Sequence, residues 1–395
     1  MAKVQRTIQP GQKIRVLIVD DSVVIRQLVT HALAADPAIE IVGVAANGSI
    51  ALAKIAQLNP DAITLDIEMP EVDGLETLRR IRRDYSHLKV IMFSTLTERG
   101  ASVALEALAL GADDYVAKVS NEGGLDRSLG RLREELIPKI KQFFSTPNSR
   151  EASNSPKPLT ALAAVEKSVP LLAPRTLLAG SGALPAVVVL GISTGGPAAL
   201  ARIMPAFSSD FPVSFLIVQH MPPLFTKLLA ERLNETCELR VREAVEGGVL
   251  EPGMVWVAPG DYHMRIVNRG KEHRIKLDQG PPENSCRPAV DVLFASAAEV
   301  FGSRTVGAVL TGMGRDGQRG SALLKAQGAC IIAQDEASSV VWGMPGSVVQ
   351  EGLADVILPL DDIPGEIMFR LGISSRASRP IQPATGRMKE IPCLR

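Results

Sequence analysis

Short apolar runs rich in Val, Ile and Leu alternate with amphipathic stretches along this chain, and they do so in two separate series. The first has strand-like runs IRVLIVD (14–20), IEIVGVA (39–45), AITLDI (62–67), KVIMFS (89–94) and DYVAKV (114–119), each followed by a helical pattern such as VVIRQLVTHALAA. Near-continuous apolar runs suit strands buried on both faces, and a helix after each supplies the crossover that parallel strands need. The second series comprises AVVVLGI (186–192), VSFLIVQ (213–219), VGAVLTG (306–312), CIIAQ (330–334) and ADVILPL (354–360). Between Glu238 and Gln279 the runs are shorter and alternating, with Gly-containing turns, so an antiparallel hairpin or meander is expected there. The fold class is α/β: two doubly wound domains with mainly parallel sheets, the second carrying an antiparallel hairpin. Right-handed crossovers put the strand C-termini on one edge of each sheet, where open α/β sheets place their sites.

The expected domains are 14–140 and 186–373, because 395 residues exceed what one core usually supports. Residues 141–185, rich in Ser, Pro, Ala and Thr, read as a flexible linker, and 374–395 as a polar, disordered tail. Lys plus Arg and Asp plus Glu number 43 each, and this balance argues against broad binding to nucleic acid or an anionic membrane. The four cysteines form no CxxC pair and cannot carry a disulfide framework on such a chain. With no apolar signal core and no run approaching the roughly 20 residues of a spanning helix, a cytoplasmic protein without membrane insertion is expected.

In the first domain Asp20 and Asp21 end the first strand and Asp66 ends the third, which gathers three carboxylates at one crevice. Each alone could as well cap a helix. Together they form an oxygen-only site suited to Mg²⁺. Ser94 at the end of the fourth strand and Lys118 near the end of the fifth add groups able to hold phosphoryl oxygens, as aspartyl phosphorylation needs.

With its motifs VDDS, LDIEMP followed by DG, MFST and DDYVAK, the region resembles a response-regulator receiver domain, with a flavodoxin-like fold, across almost all of 14–140. The resemblance implies Asp66 as phospho-acceptor, Asp20, Asp21 and Asp66 around the metal, and Ser94 with Lys118 as the phosphate-sensing pair. Tyr115 becomes a candidate aromatic switch. Val119 stands where the family usually has Pro after its Lys, so a trans bond is expected there.

In the second domain Ser193, His220 and Asp316 each follow an apolar strand. On parallel strands they emerge at one edge, and a hydroxyl, an imidazole and a carboxylate suffice for nucleophilic acyl transfer. Of the other histidines, His31 and His87 belong to the first domain, while His263 and His273 lie in the hairpin-rich region and are expected to be solvated. Gly191 to Gly195 matches G-x-S-x-G, a frequent chance pattern, and the order Ser…His…Asp is not that of α/β-hydrolases. Asp316 could instead cap a helix starting near Gly317, and Asp291 and Asp335 are rivals for the acid. A dinucleotide site is rejected because LGISTGG lacks the G-x-G-x-x-G spacing and the second strand ends in Gln219-His220 without an acid.

The segments GISTGGPAAL, IVQHMP, APGDYHM, CRPAVDVLFASAA, VLTGMGRDGQRG and VVWGMPGSVV make 187–371 similar to the catalytic domain of chemotaxis protein-glutamate methylesterases, the CheB family. The resemblance implies Ser193 as nucleophile, His220 as base and Asp316 as orienting acid, with backbone N–H groups near Thr194 and Met313 as the oxyanion hole. Cys286 and Ala289 stand where the family more often has His and Ser. The implied function is a serine esterase that removes glutamate γ-methyl esters from methyl-accepting chemoreceptors and deamidates their glutamines. A chemotaxis histidine kinase would phosphorylate the receiver with Mg²⁺, and hydrolysis itself would need no cofactor. The competing readings are a receiver-controlled scaffold and a serine hydrolase of small-molecule esters.

Overall fold

The computed structural model describes residues 12–95, 97–118, 125–144 and 184–373. Most of the expected linker, the tail and Val119 lie outside these residues.

The first unit alternates β1 (Ile14–Val19), α1 (Val23–Leu33), β2 (Ile39–Ala45), α2 (Gly48–Leu58), β3 (Ala62–Asp66), α3 (Gly74–Asp84), β4 (Lys89–Ser94), α4 (Glu98–Ala109), β5 (Asp114–Ala117) and α5 (Leu125–Lys141). Its parallel sheet has the order β2-β1-β3-β4-β5. Every residue of β3 and β4 is buried, as the two-sided apolar runs require. Polar caps start the helices: Ser22, Asn47, Asp73 and Thr97 each accept from a backbone N–H of the first turn. Gln142 and Phe143 are buried behind α5, so packing continues past residue 140.

The second unit contains β6 (Val187–Ile192), α6 (Gly196–Ile203), β7 (Ser214–Gln219), α7 (Pro223–Thr236), β8 (Arg240–Glu243), β9 (Met254–Val257), β10 (His263–Arg269) and β11 (Glu272–Asp278). It continues through α8 (Val290–Phe301), β12 (Thr305–Val309), α9 (Gln318–Ala326), β13 (Cys330–Gln334), α10 (Met344–Gln350), β14 (Val356–Leu358) and α11 (Ile363–Arg370). Seven strands form a sheet of order β14-β13-β12-β6-β7-β9-β8, parallel throughout. Only two of the four runs between Glu238 and Gln279 form the expected antiparallel hairpin, β10 with β11. LRVREAV and MVWVAPG instead contribute β8 and β9 to the parallel sheet. A loop, not a helix, joins those two strands, so the usual mark of a parallel pair is missing from the sequence. His263, expected in solvent, is 1% exposed, and its Nε2 lies 3.0 Å from Pro281 O.

The chain leaves β6 first toward β7 and later returns to its other side as β12, so the sheet reverses direction at β6. That reversal opens a crevice beyond the strand ends, where sites form in such sheets.

Candidate active site and its cover

Ser193 follows the last residue of β6, and His220 follows the last residue of β7. The register pairs Ile192 with Gln219, which makes Ser193 and His220 neighbours at the sheet edge. The turn after Ser193 is tightly built. Its N–H donates to Thr311 O at 3.0 Å, its carbonyl accepts from Gly196 N at 2.8 Å and from Gln219 Nε2 at 3.0 Å, and Gly195 takes φ 80°. Gly312 lets the neighbouring loop approach: a Cβ there would lie 2.8 Å from Ser193 Cβ and 2.4 Å from Met344 Sδ.

Asp316 comes from the loop after β12, on the opposite side of β6. Its Oδ2 lies 2.8 Å from His220 Nε2 and accepts from Val290 N at 2.6 Å; its Oδ1 accepts from Asn284 Nδ2, Asp291 N and Gly317 N at 2.9 to 3.0 Å. The carboxylate therefore caps α8, not the helix after Gly317. Burial alone would raise its pKa, but the hydrogen bond and charge of His220 and the backbone donors hold it below the ordinary range. For His220, burial works against the charged ring, and contacts to Asp316 and Cys286 outweigh it, so the imidazolium is favoured. Because Asp316 engages Nε2, the nitrogen turned toward the cavity is Nδ1, 3.6 Å from Cys286 Sγ. No hydrogen bond joins Ser193 Oγ to His220 in this state. Of the rival acids, Asp291 accepts from Gly320 N and Asn284, and Asp335 from Ser338; neither meets His220.

Sequence reasoning did not single out Asn284, whose amide bridges the Asp316 and Asp291 carboxylates. Its backbone lies in the left-handed region (φ 52°), followed by Ser285 at φ 62°. The turn residues Glu-Asn-Ser are the one sequence signal for it. The N–H groups of Thr194 and Met313 have no protein acceptor among the described residues, and both residues line the cavity beside Ser193.

That cavity, about 320 Å³, is closed on one side by the first unit through Leu108, Asp114, Tyr115 and Lys139. The Tyr115 ring stacks on Phe225 of α7 at a centroid distance of 4.5 Å, and Lys139 Nζ sits 4.9 Å over the Tyr115 ring. Thr194 Oγ1 lies 3.1 Å from Asp114 Oδ2 and 3.3 Å from Gln142 Oε1. Helix α4 packs on α6 and α7, and Val340 and Val341 join the apolar cluster that holds Phe143.

In the first unit Asp20, Asp21 and Asp66 bring carboxylate oxygens within 4.8 Å of one another. Lys118 Nζ contacts Asp20 Oδ2 at 3.0 Å and Asp66 Oδ2 at 2.8 Å. Burial pushes Asp66 up to about 6, partly offset by Lys118. Three hard, anionic oxygen donors gathered at one crevice fit Mg²⁺. Ser94 Oγ donates to Gly100 O at 2.7 Å, so in this state the hydroxyl is engaged away from the carboxylates.

These two sites define a phospho-receiver unit seated on an α/β unit with the constellation of a serine hydrolase. Comparison with known proteins agrees: the CheB methylesterase family matches residues 188–367, and the response regulator receiver domain family matches residues 16–129. A protein-glutamate methylesterase/protein-glutamine glutaminase of Trichodesmium erythraeum is 48% identical, over 91% of this chain and 99% of that protein. One of the same name from a Nocardioides species is 49% identical, over 92% and 96%. The crystal structure of the Thermotoga maritima CheB methylesterase catalytic domain is 44% identical, covers 47% of this chain and 98% of its own, and gives a TM-score of 0.46. The chain belongs to the CheB family of protein-glutamate methylesterase/protein-glutamine glutaminases.

Proposed function

We propose that this chain is a phosphorylation-regulated serine esterase that hydrolyses glutamate γ-methyl esters, and deamidates glutamines, on methyl-accepting chemoreceptors in the cytoplasm. The observation that carries the reading is the Ser193, His220 and Asp316 constellation at one sheet edge, lidded by the receiver. With Nε2–H donated to Asp316, His220 Nδ1 takes the Ser193 proton as Oγ attacks the ester carbonyl. The N–H groups of Thr194 and Met313, without a protein acceptor among the described residues, suit the developing oxyanion. Protonated His220 then returns the proton to the departing methoxide, giving methanol and acyl-Ser193. Water activated by the same base releases glutamate. A glutamine substrate follows the same course, with ammonia as the leaving product.

In the covered state His220 Nδ1 faces Cys286 Sγ and has no hydrogen bond to Ser193, which opposes catalysis. Phosphorylation of Asp66 by a chemotaxis histidine kinase would favour the uncovered state, with Asp20, Asp21 and Asp66 holding Mg²⁺. When bound, the cation supplies charge compensation for the phosphoryl oxygens. Among the described residues no helix is long and apolar enough to cross a membrane.

Methanol release from a methylated receptor fragment tests the reading, with and without Mg²⁺ and a small phosphodonor. Stimulated release that Ser193→Ala abolishes is expected. A fragment cleaved by another methylesterase but untouched by this chain would overturn it, and turnover confined to small chromogenic esters would redirect it to small-molecule hydrolysis.

A further inference from the structure

The active cavity contains a second nucleophile. Cys286 lines it together with Ser193, and its Sγ lies 3.6 Å from the nitrogen of His220 that Asp316 leaves unengaged. The hydrogen-bonded series in this state is therefore Cys286–His220–Asp316. Its geometry is held by the loop itself. Glu283 and Cys286 exchange backbone hydrogen bonds at 3.1 and 2.8 Å, while Asn284 between them donates to Asp316 Oδ1. The thiol, the imidazole and the carboxylate are thus fixed to one another through a closed ring of contacts.

The other described cysteines differ. Cys330 is pushed up to about 11 by burial, and Cys237 is raised by burial with only the Thr236 hydroxyl beside it. Neither has an imidazole within hydrogen-bond distance.

We propose that Cys286 is a reactive thiol through which hydroperoxides reversibly switch off the hydrolytic site. The Sγ proton passes to His220 Nδ1, and the thiolate attacks the peroxide oxygen. The S–O bond forms as the O–O bond breaks, and the departing hydroxide or alkoxide takes the proton from His220. Sulfur is oxidised by two electrons to the sulfenic acid, and the peroxide is reduced to water or alcohol. The added oxygen fills the space beside Ser193 and engages the base. A low-molecular-weight thiol displaces water to form a mixed disulfide, and a second thiol releases Cys286 with formation of the free disulfide.

The inference borrows only its activity readout from the proposed esterase; chemical labelling tests it independently. Full-length protein is treated with hydrogen peroxide and the sulfenate trap dimedone, and adducts are mapped by mass spectrometry. Cys286 should label ahead of Cys237, Cys330 and Cys393. His220→Gln should slow that labelling on the order of 100-fold, the usual worth of a positioned proton acceptor, while Ser193→Ala should leave it intact. Methanol release should fall with peroxide and return with dithiothreitol, whereas Cys286→Ser should keep its own untreated rate in peroxide. Equal labelling of all four cysteines, or indifference of the Cys286 rate to His220→Gln, overturns the proposal. So does equal peroxide inactivation of Cys286→Ser and the native chain.

Discussion

Asp316 holds His220 with one oxygen and the start of α8 with both, so one carboxylate ties the chemistry to the fold. Asp316→Asn would put an amide nitrogen against donors and disturb the imidazole tautomer, and kcat for methanol release should fall by about 10⁴-fold. A loss of less than about tenfold would remove Asp316 from the triad. The His220 pKa carries a stability prediction. Its folded value lies above the free-imidazole 6.5, near 10, so the stabilisation is full below 6.5 and is lost as pH rises through about 10. Denaturant unfolding of native protein and His220→Gln should show a stability gap that narrows over that window; a gap that widens with pH contradicts the pairing. At this scale Ser193, His220 and Asp316 were legible because each follows an apolar strand. Asn284 and Gln219 were not, since a left-handed turn and a side chain tucked under a neighbouring turn leave no periodic trace.

The turn after β6 and the face of β5 are the elements at which substitutions should move activity most. Gly312→Ala would force its methyl against Ser193 and Met344, an overpacking that costs about 1–3 kcal/mol in a well-packed core. Esterase activity should fall further than thermal stability does, and full activity with unchanged melting would show that the close approach is dispensable. On β5, Tyr115→Leu keeps apolar volume but removes the stack on Phe225. Aromatic pairs are worth about 0.5–1.5 kcal/mol beyond burial, so methanol release without phosphodonor should rise about two- to twelvefold. Unchanged basal release would mean that the stack does not hold the cover. The element pattern was readable wherever helices separate strands. It misled at β8, where Arg240 and Arg242 face solvent on an edge strand: alternation there comes from the edge position, and the sequence alternates as a hairpin would.

For the whole molecule, the class of both units and their order along the chain were legible, because each buried sheet writes its own series of apolar runs. The seating of one unit on the other was not. It is made by Asp114, Tyr115, Lys139, Thr194 and Phe225, far apart in sequence, and an interfacial aromatic reads like a core one. If the cover is what phosphorylation releases, phosphodonor with Mg²⁺ should increase both methanol release and the radius of gyration by small-angle scattering. Chelation should abolish the stimulation and spare the basal rate; equal loss of both would place the cation in hydrolysis itself. Since lid and enzyme are one chain, they meet at an effective concentration fixed by their tether, and not by expression. The resting leak per molecule is therefore a property written into the gene: a cell that doubles its supply of this protein doubles the total leak, and the uncovered fraction of unphosphorylated molecules stays the same.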